Sequence, residues 1–243
     1  ISFRHIELKG YDMKLKLYGA MLSPFVRKVR IMLALKKVDY DIDIKVSPLG
    51  VPEGYEKIHP LKKIPALVID DGDRELALAD SSAIAGFLEK LQPSPSFYPT
   101  NPLDYGQALW LEEYGDTFIA QNCTFGIFGN VFFSWARGET YDPEKVKMAF
   151  QRMEEVIAYI EPILGDRDWL VGEGMSIADI GVISHFFNVE HAGYRLTEAD
   201  SPSLYALKKR IEEHPEIAPL LAEERIVIQK LKFESPDLTT LRH

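Results

Sequence analysis

Leu22-Ser23-Pro24-Phe25-Val26-Arg27-Lys28-Val29-Arg30 opens a helix directly behind a hydroxyl. Serine is a favoured N-cap, and proline suits the first helical position, where its missing N–H would have had no partner. Val26, Val29 and Leu33 recur at helical spacing, with Phe25 and Met32 beside them. The pattern predicts a helix running to about Lys37. Its first turn carries unpaired N–H groups and a partial positive charge, which favour an anion. A thiolate is such an anion. The stretch alone leaves Ser23 either as a cap of its own helix or as part of an anion site.

Strand patterns flank this helix. Lys14 to Tyr18 reads as a short strand, and Tyr40-Asp41-Ile42-Asp43-Ile44-Lys45-Val46 alternates with period two. A helical crossover between two strands makes them parallel. Ser47 to Pro60 is rich in proline and glycine and predicts a loop, with one helical turn near Glu53 to Lys57. Lys63-Ile64-Pro65-Ala66-Leu67-Val68-Ile69 is an apolar run. Asp70-Asp71-Gly72-Asp73 separates it from Glu75-Leu76-Ala77-Leu78, as in a hairpin. Pro65 donates nothing to a ladder, so it belongs at a strand start or edge, and its peptide bond is open to either isomer. Asp80-Ser81-Ser82-Ala83-Ile84 then begins a helix reaching about Leu91. Residues before Met13 differ in character from the chain after it, and Met13 reads as a natural start. Ile1 to Asp12 are therefore set aside as an extension.

Pro93, Pro95, Pro99 and Pro102 mark a linker. Beyond it only helical patterns occur. Leu103 to about Arg137 reads as one long helix, or one broken near Gly126 and Gly129. Val146, Phe150, Met153, Ile157, Ile160 and Leu164 form an apolar stripe that Gly165 ends. Ser176-Ile177-Ala178-Asp179 is a capping box, followed by a stretch apolar on all sides and so a buried helix. Further helices are predicted from Ser201 to about Glu213 and from about Glu216 to Lys232, with a loose tail.

The chain has 243 residues and a net charge of −9, with 46% hydrophobic and 27% charged residues, a composition of soluble proteins. Met13–Gln92 holds 13 Lys/Arg against 11 Asp/Glu, whereas Pro93–His243 holds 13 against 24. The acidic second half argues against nucleic acid and anionic membranes as partners, and makes the first half the place for a small anion. Cys123 is the single cysteine, which excludes an internal disulfide and a cysteine-rich zinc site and suits a reducing cytoplasm. The six histidines show no ligand spacing, so no metal is expected.

Together these motifs resemble the cytosolic glutathione transferases, from Met13 to about Lys232. Ser23 to Arg30, Lys63 to Leu67, Asp80 to Ile84 and Ser176 to Ile180 carry the similarity by order and spacing. The resemblance implies an α/β plus all-α protein. A thioredoxin-like βαβββα domain (residues 13–92) would be followed by a linker (93–103) and an all-helical domain (104–243). It implies glutathione as co-substrate and Ser23 as the hydroxyl that stabilises its thiolate. Ile64 and Pro65 would pair through backbone with the cysteinyl part. Asp80 and Ser81 would hold the γ-glutamyl end, and Lys63 a carboxylate. A small hydrophobic electrophile would bind between the domains, near Met21, Leu22, Tyr114, Phe118, Phe125 and Phe128. Homodimers in the cytoplasm are the family's habit.

Several residues depart from the family's patterns. Asp80 stands where Glu is more usual, shortening the reach to the ammonium by one methylene. Position 23 is not Cys, so the chain lacks the nucleophile of disulfide-forming members. Met21-Leu22-Ser23 replaces the Ser-Ser-Cys of the maleylacetoacetate isomerases. Tyr18 fits a packed strand residue better than a catalytic one, and Trp110 and Trp135 are expected in the core or an interface. The leading expectation is a conjugating transferase. A non-catalytic binding or interaction module on the same fold is the alternative, and a glutathione-dependent peroxidase or isomerase the third option.

Overall fold

The computed structural model describes residues 6–8 and 11–242, and the chain divides into two compact units between Ser96 and Phe97. In the first unit, strands β1 (Ile6–Leu8), β2 (Tyr11–Tyr18), β3 (Asp41–Asp43), β4 (Ala66–Asp70) and β5 (Glu75–Leu78) form one mixed sheet. β3 runs parallel to β2, with Leu17 opposite Ile42. β4 is antiparallel to β2, and β5 to β4. Helices α1 (Pro24–Leu35) and α2 (Ser81–Leu91) pack together. From β2 onward the order is βαβββα, the thioredoxin-like arrangement.

β4 is buried from Ala66 to Ile69, as a strand flanked by two others should be. Leu15 and Leu17 of β2 point into the core, while Lys16 stays partly exposed beside Asp43 at 3.6 Å. β3 is shorter than its alternating pattern. The Asp43 carboxylate accepts from the Lys45 N–H at 3.1 Å, a local turn that takes the chain off the sheet and leaves Ile44 exposed. β2 is longer than expected. Ile6 to Leu8 pair antiparallel with Tyr11 to Met13, so part of the segment set aside as an extension belongs to the sheet. The rest of it, residues 1–5, 9 and 10, lies outside the described residues.

Lys36 closes the far end of the unit. Its fully buried ammonium meets Glu89 and the carbonyls of Gln92 and Pro95, each at 2.7 Å. It thus neutralises the C-terminal end of α2 and ties down the start of the proline-rich stretch.

The second unit is helical: α3 (Pro102–Tyr114), a π-helical segment (Gly115–Gly129), α4 (Asn130–Ala136), α5 (Pro143–Leu164), α6 (Ile177–His191), α7 (Pro202–Glu212) and α8 (Ala218–Leu231). Every residue of the α5 stripe is buried, and α6 is buried from Ile177 to Val189. Of the two alternatives for this stretch, one long helix or a break near Gly126 and Gly129, the unbroken one forms. Residues 102–136 are helical throughout, with wider hydrogen bonding in the middle. Glycines permit this packing: a Cβ on Gly115 would lie 3.1 Å from the Gly181 carbonyl carbon, and one on Gly126 2.8 Å from the Ala149 Cβ.

The tail is not loose. Leu238 is fully buried, and Arg242 pairs with Glu154 and Asp200. Trp110 is also not a core residue, since half of it is exposed, whereas Trp135 packs against Phe132 and Phe233.

Candidate functional site

Topology gathers the predicted residues at one end of the sheet. Tyr18, the last residue of β2, lies opposite Ala66, the first residue of β4. Leu67 lies opposite Leu78, the last residue of β5. The segments leading to Ser23, Ile64–Pro65 and Asp80–Ser81 therefore leave the sheet at the same end. Gly19 brings two of them into contact. It sits at φ +154°, and a Cβ there would lie 2.4 Å from Val26 Cγ2 and 3.3 Å from Ile64 Cβ. Only glycine lets the chain pass between the first turn of α1 and the residue before Pro65.

Ser23 is the N-cap of α1, half-buried, with an extended backbone. Its Oγ accepts from the Val26 N–H at 3.4 Å, the long end of hydrogen bonding. Accepting that bond leaves the O–H proton available to donate. No acidic residue occupies the first turn, so nothing on the helix itself offsets the positive end.

The Ile64–Pro65 peptide is cis. Pro65 is buried, Ile64 half-buried and Lys63 exposed. Asp80 caps α2: its Oδ1 accepts from the N–H groups of Ser82 and Ala83, each at 2.9 Å. The Asp80 side chain is exposed, whereas Ser81 is buried. Lys28 donates to Ser82 Oγ at 3.2 Å, fixing the start of α2 against α1.

His59 is a member of this cluster that motif reading missed. Its ring is buried, and Nδ1 accepts from the Leu61 N–H at 3.2 Å. Burial, and then the Lys63 charge, push its pKa below the ordinary value, while Asp80 pulls the other way. The imidazole is thus neutral at neutral pH, between a cation and a carboxylate that both act on it. The only trace in the sequence is His59-Pro60 ahead of Lys63, with no ligand-like spacing to mark it. Tyr18 packs beside Tyr55, with ring centroids 6.1 Å apart. Met21 is half-buried and Leu22 buried.

In the second unit Tyr114 and Phe118 stack at 5.5 Å, and Tyr159 meets Tyr114 edge-on at 5.0 Å. Trp110 joins through a 2.8 Å bond from Nε1 to the Tyr159 hydroxyl. Burial pushes the Tyr114 hydroxyl up to about 12, so it stays protonated. Phe125 is half exposed, and Phe128 is buried against Phe132 at 4.9 Å. Tyr114 and Phe118 thus share one aromatic surface, and Phe128 belongs to the core. Among the described residues no group of His, Cys, Asp and Glu could hold a metal ion, and no helix is long and apolar enough to cross a membrane.

Comparison with known proteins gives concordant findings. The family description "Glutathione S-transferase, N-terminal domain" matches residues 22–91, and "Glutathione S-transferase, C-terminal domain" matches residues 130–224. A glutathione S-transferase of Triticum aestivum is 32% identical over 166 residues, covering 68% of this chain and 73% of that protein. A probable maleylacetoacetate isomerase 1 of Drosophila melanogaster is 26% identical, covering 89% of this chain and 86% of that protein. The solved structure of FzlA from C. crescentus superposes with a TM-score of 0.78 at 21% identity, covering 86% of this chain and 92% of that one.

Proposed function

Because this chain belongs to the glutathione S-transferase family, whose co-substrate is glutathione, we propose that it joins the glutathione thiolate to small hydrophobic electrophiles, with Ser23 stabilising the thiolate. The observation that carries this reading is the placement of Ser23. A hydroxyl with a proton to give caps an N-terminus free of acidic residues, at the sheet end that also holds Ile64, Pro65, Asp80 and Ser81.

A free thiol titrates near pKa 8.5, so lowering it by about two units requires about 2.7 kcal/mol of preference for the anion. A hydrogen bond to a charged acceptor contributes about 1.5–3 kcal/mol, and a helix N-terminus about 0.3–1 kcal/mol more. The two together reach the required value. In the reaction the thiol proton leaves to solvent and the sulfur lone pair forms a C–S bond to the electrophilic carbon. The leaving group then departs with its electron pair, or the adduct takes up a proton. Holding the partners together supplies much of the remaining acceleration. Ile64 and Pro65 offer backbone to the cysteinyl part. Lys63 suits a glycyl carboxylate, and Ser81 at the α2 N-terminus the γ-glutamyl carboxylate. Met21, Leu22, Tyr114, Phe118 and Phe125 are the apolar groups assigned to the acceptor. The protein acts as a cytoplasmic homodimer in this reading. A monomer in sedimentation at micromolar concentration would remove the dimer.

Calorimetry with glutathione, together with thiolate absorbance across pH, tests the proposal. Wild type binds with a lowered thiol pKa, and Ser23→Ala, which leaves the helix N-terminus in place, raises that pKa by about 1.5 units and slows conjugation near neutrality about tenfold. An unchanged thiol pKa in Ser23→Ala would refute the role of the hydroxyl.

Asp80 favours a second reading, a module without catalysis, because its Oδ1 already serves two capping bonds. Asp80→Asn tests that role of Asp80, since asparagine caps as well as aspartate but carries no charge, while conjugation by the wild type decides between the two readings. If Asp80 pairs with the glutathione ammonium, the variant keeps its Tm and binds glutathione about three- to tenfold more weakly, a modest loss because the site is exposed. If Asp80 is only a cap, affinity stays where it was.

A further inference from the structure

Tyr55 opens a 3₁₀ turn, Tyr55–Lys57, in the loop between β3 and β4. It is 3% exposed, in a cluster with Val46 and Ala66 that Tyr18, Val51, Ile58 and Ile64 surround. Apolar packing accounts for the ring but not for the hydroxyl. That hydroxyl donates to the carbonyl of Lys63 at 2.8 Å. The backbone of Tyr55 holds the same loop at its other end, its carbonyl accepting from the N–H groups of Ile58 and His59, both at 2.9 Å. Between these anchors the chain reverses at Lys62, which has φ +53° and an N–H bonded to the His59 carbonyl at 2.9 Å. A lysine in the left-handed region is held there by its surroundings.

The acceptor of the Tyr55 bond is what matters. The carbonyl of Lys63 and the N–H of Ile64 belong to one peptide unit, which is planar and stiff. Fixing the carbonyl fixes the direction of the N–H. Pro65, the next residue, has no N–H of its own. The Ile64 amide is therefore the last backbone donor before Ala66, at the sheet end that carries Ser23 and Asp80. We infer that Tyr55 is a positioning residue for glutathione: its hydroxyl, through the Lys63 carbonyl, aims the Ile64 backbone at the cysteinyl part of the peptide. This rests on the glutathione reading above. Burial pushes the Tyr55 hydroxyl up to about 12, so it remains a donor throughout the working pH range.

The test compares wild type with Tyr55→Phe, which keeps the ring and removes only the donor. Both proteins are titrated with glutathione and with S-methylglutathione, whose blocked sulfur cannot ionise, and the thiol pKa of bound glutathione is followed by absorbance. The inference expects Tyr55→Phe to bind both peptides about tenfold more weakly, equivalent to about 1.4 kcal/mol. The bound thiol pKa stays at the wild-type value, because Ser23 and the start of α1 are untouched. In kinetics KM for glutathione rises while kcat holds. Wild-type affinity in Tyr55→Phe for both peptides, with or without a fall in Tm, overturns the inference and leaves the glutathione reading intact. Failure of wild type to bind either peptide overturns the glutathione reading, and this inference with it.

Discussion

Gly19→Ala is the substitution by which the geometry of the site is most sharply tested. A Cβ at position 19 would stand 2.4 Å from Val26 Cγ2 and 3.3 Å from Ile64 Cβ. Carbon atoms rest at about 3.5–4.0 Å, so the first contact is short by more than about 1 Å. Val26 cannot easily turn aside, because a valine in a helix has one strongly preferred χ1 and this one is fully buried. The backbone must move instead, and the two moving parts carry Ser23 and Ile64. Overpacking of this kind costs about 1–3 kcal/mol, and an L-residue at φ +154° adds about 1–3 kcal/mol of strain. The expected loss is about 2–6 kcal/mol, a large share of the stability of an ordinary domain.

Urea denaturation followed by circular dichroism measures it, on Gly19→Ala, Val26→Ala and the double variant. Val26→Ala alone loses about 1–3 kcal/mol through a cavity. In the double variant the clashing methyl is gone and the new Cβ fills part of the hole. The steric share is recovered, and the double variant is more stable than the sum of the singles by about 1–3 kcal/mol. Glutathione affinity shows the same pattern, poor in Gly19→Ala and partly restored in the pair. Strict additivity, or a Gly19→Ala protein within about 0.5 kcal/mol of wild type, would show that this close approach does not hold the site together.

Asp179 accepts from the N–H of Leu170 at 2.8 Å and from the N–H and hydroxyl of Ser176 at 2.7 and 2.8 Å, so Asp179→Asn sets an NH₂ against a buried donor. The second unit should lose about 2 kcal/mol and about 4–8 °C in Tm. Burial pushes this carboxyl from its ordinary 3.8 up to about 6, against the pull of those donors. A folded pKa above the unfolded one gives stability that is complete in acid and lost as pH rises through about 6. The gap between wild type and Asp179→Asn therefore widens from about pH 8 to about pH 5; a narrowing gap would mean that the hydrogen bonds outweigh burial. Cys123 is fully buried, and burial pushes its thiol upward, so the native protein resists a thiol reagent that labels it once unfolded. Labelling of the folded protein at the rate of a free thiol would contradict that placement.

Local rules explain what the sequence discloses. Ser23-Pro24, Asp80 ahead of α2, the Asp71-Gly72 hairpin and the Ser176–Asp179 box each write their structure within four residues, and all form where the spacing puts them. The α5 stripe is equally local in period. What escapes depends on partners distant in the chain. Trp110 reads as core or interface by type, and residue type does not decide between them: its indole reaches the Tyr159 hydroxyl, 49 residues away in sequence, from an exposed position. The tail has no periodicity, yet a Cβ on Gly193 would meet the Pro236 carbonyl oxygen at 2.0 Å, so the chain lies flat against that glycine. The glycines of residues 115–129 look like breakers but permit close packing, which a one-dimensional reading cannot tell apart.

The same distinction separates the legible from the hidden parts of the candidate site. Ser23, Ile64, Pro65, Asp80 and Ser81 stand out because each starts a helix or lies just before a strand, where residue type is dictated by the backbone. Tyr55 and His59 do not, because the loop that holds them obeys no period. Their assignment depends on a bond from Tyr55 to a carbonyl eight residues on, and on the two charges facing the His59 ring. The sheet makes this division functional. Antiparallel pairing of β4 with β2 and β5 returns three separate segments to one end, so any ligand spanning Ser23, Ile64 and Asp80 is read by groups whose spacing the ladder sets. Side chains on helix starts are then held by their own caps, whereas the Ile64 amide lies on irregular chain without one. A loop residue fixed from both ends, as Tyr55 fixes this one, supplies there the rigidity that secondary structure supplies to the other two contacts.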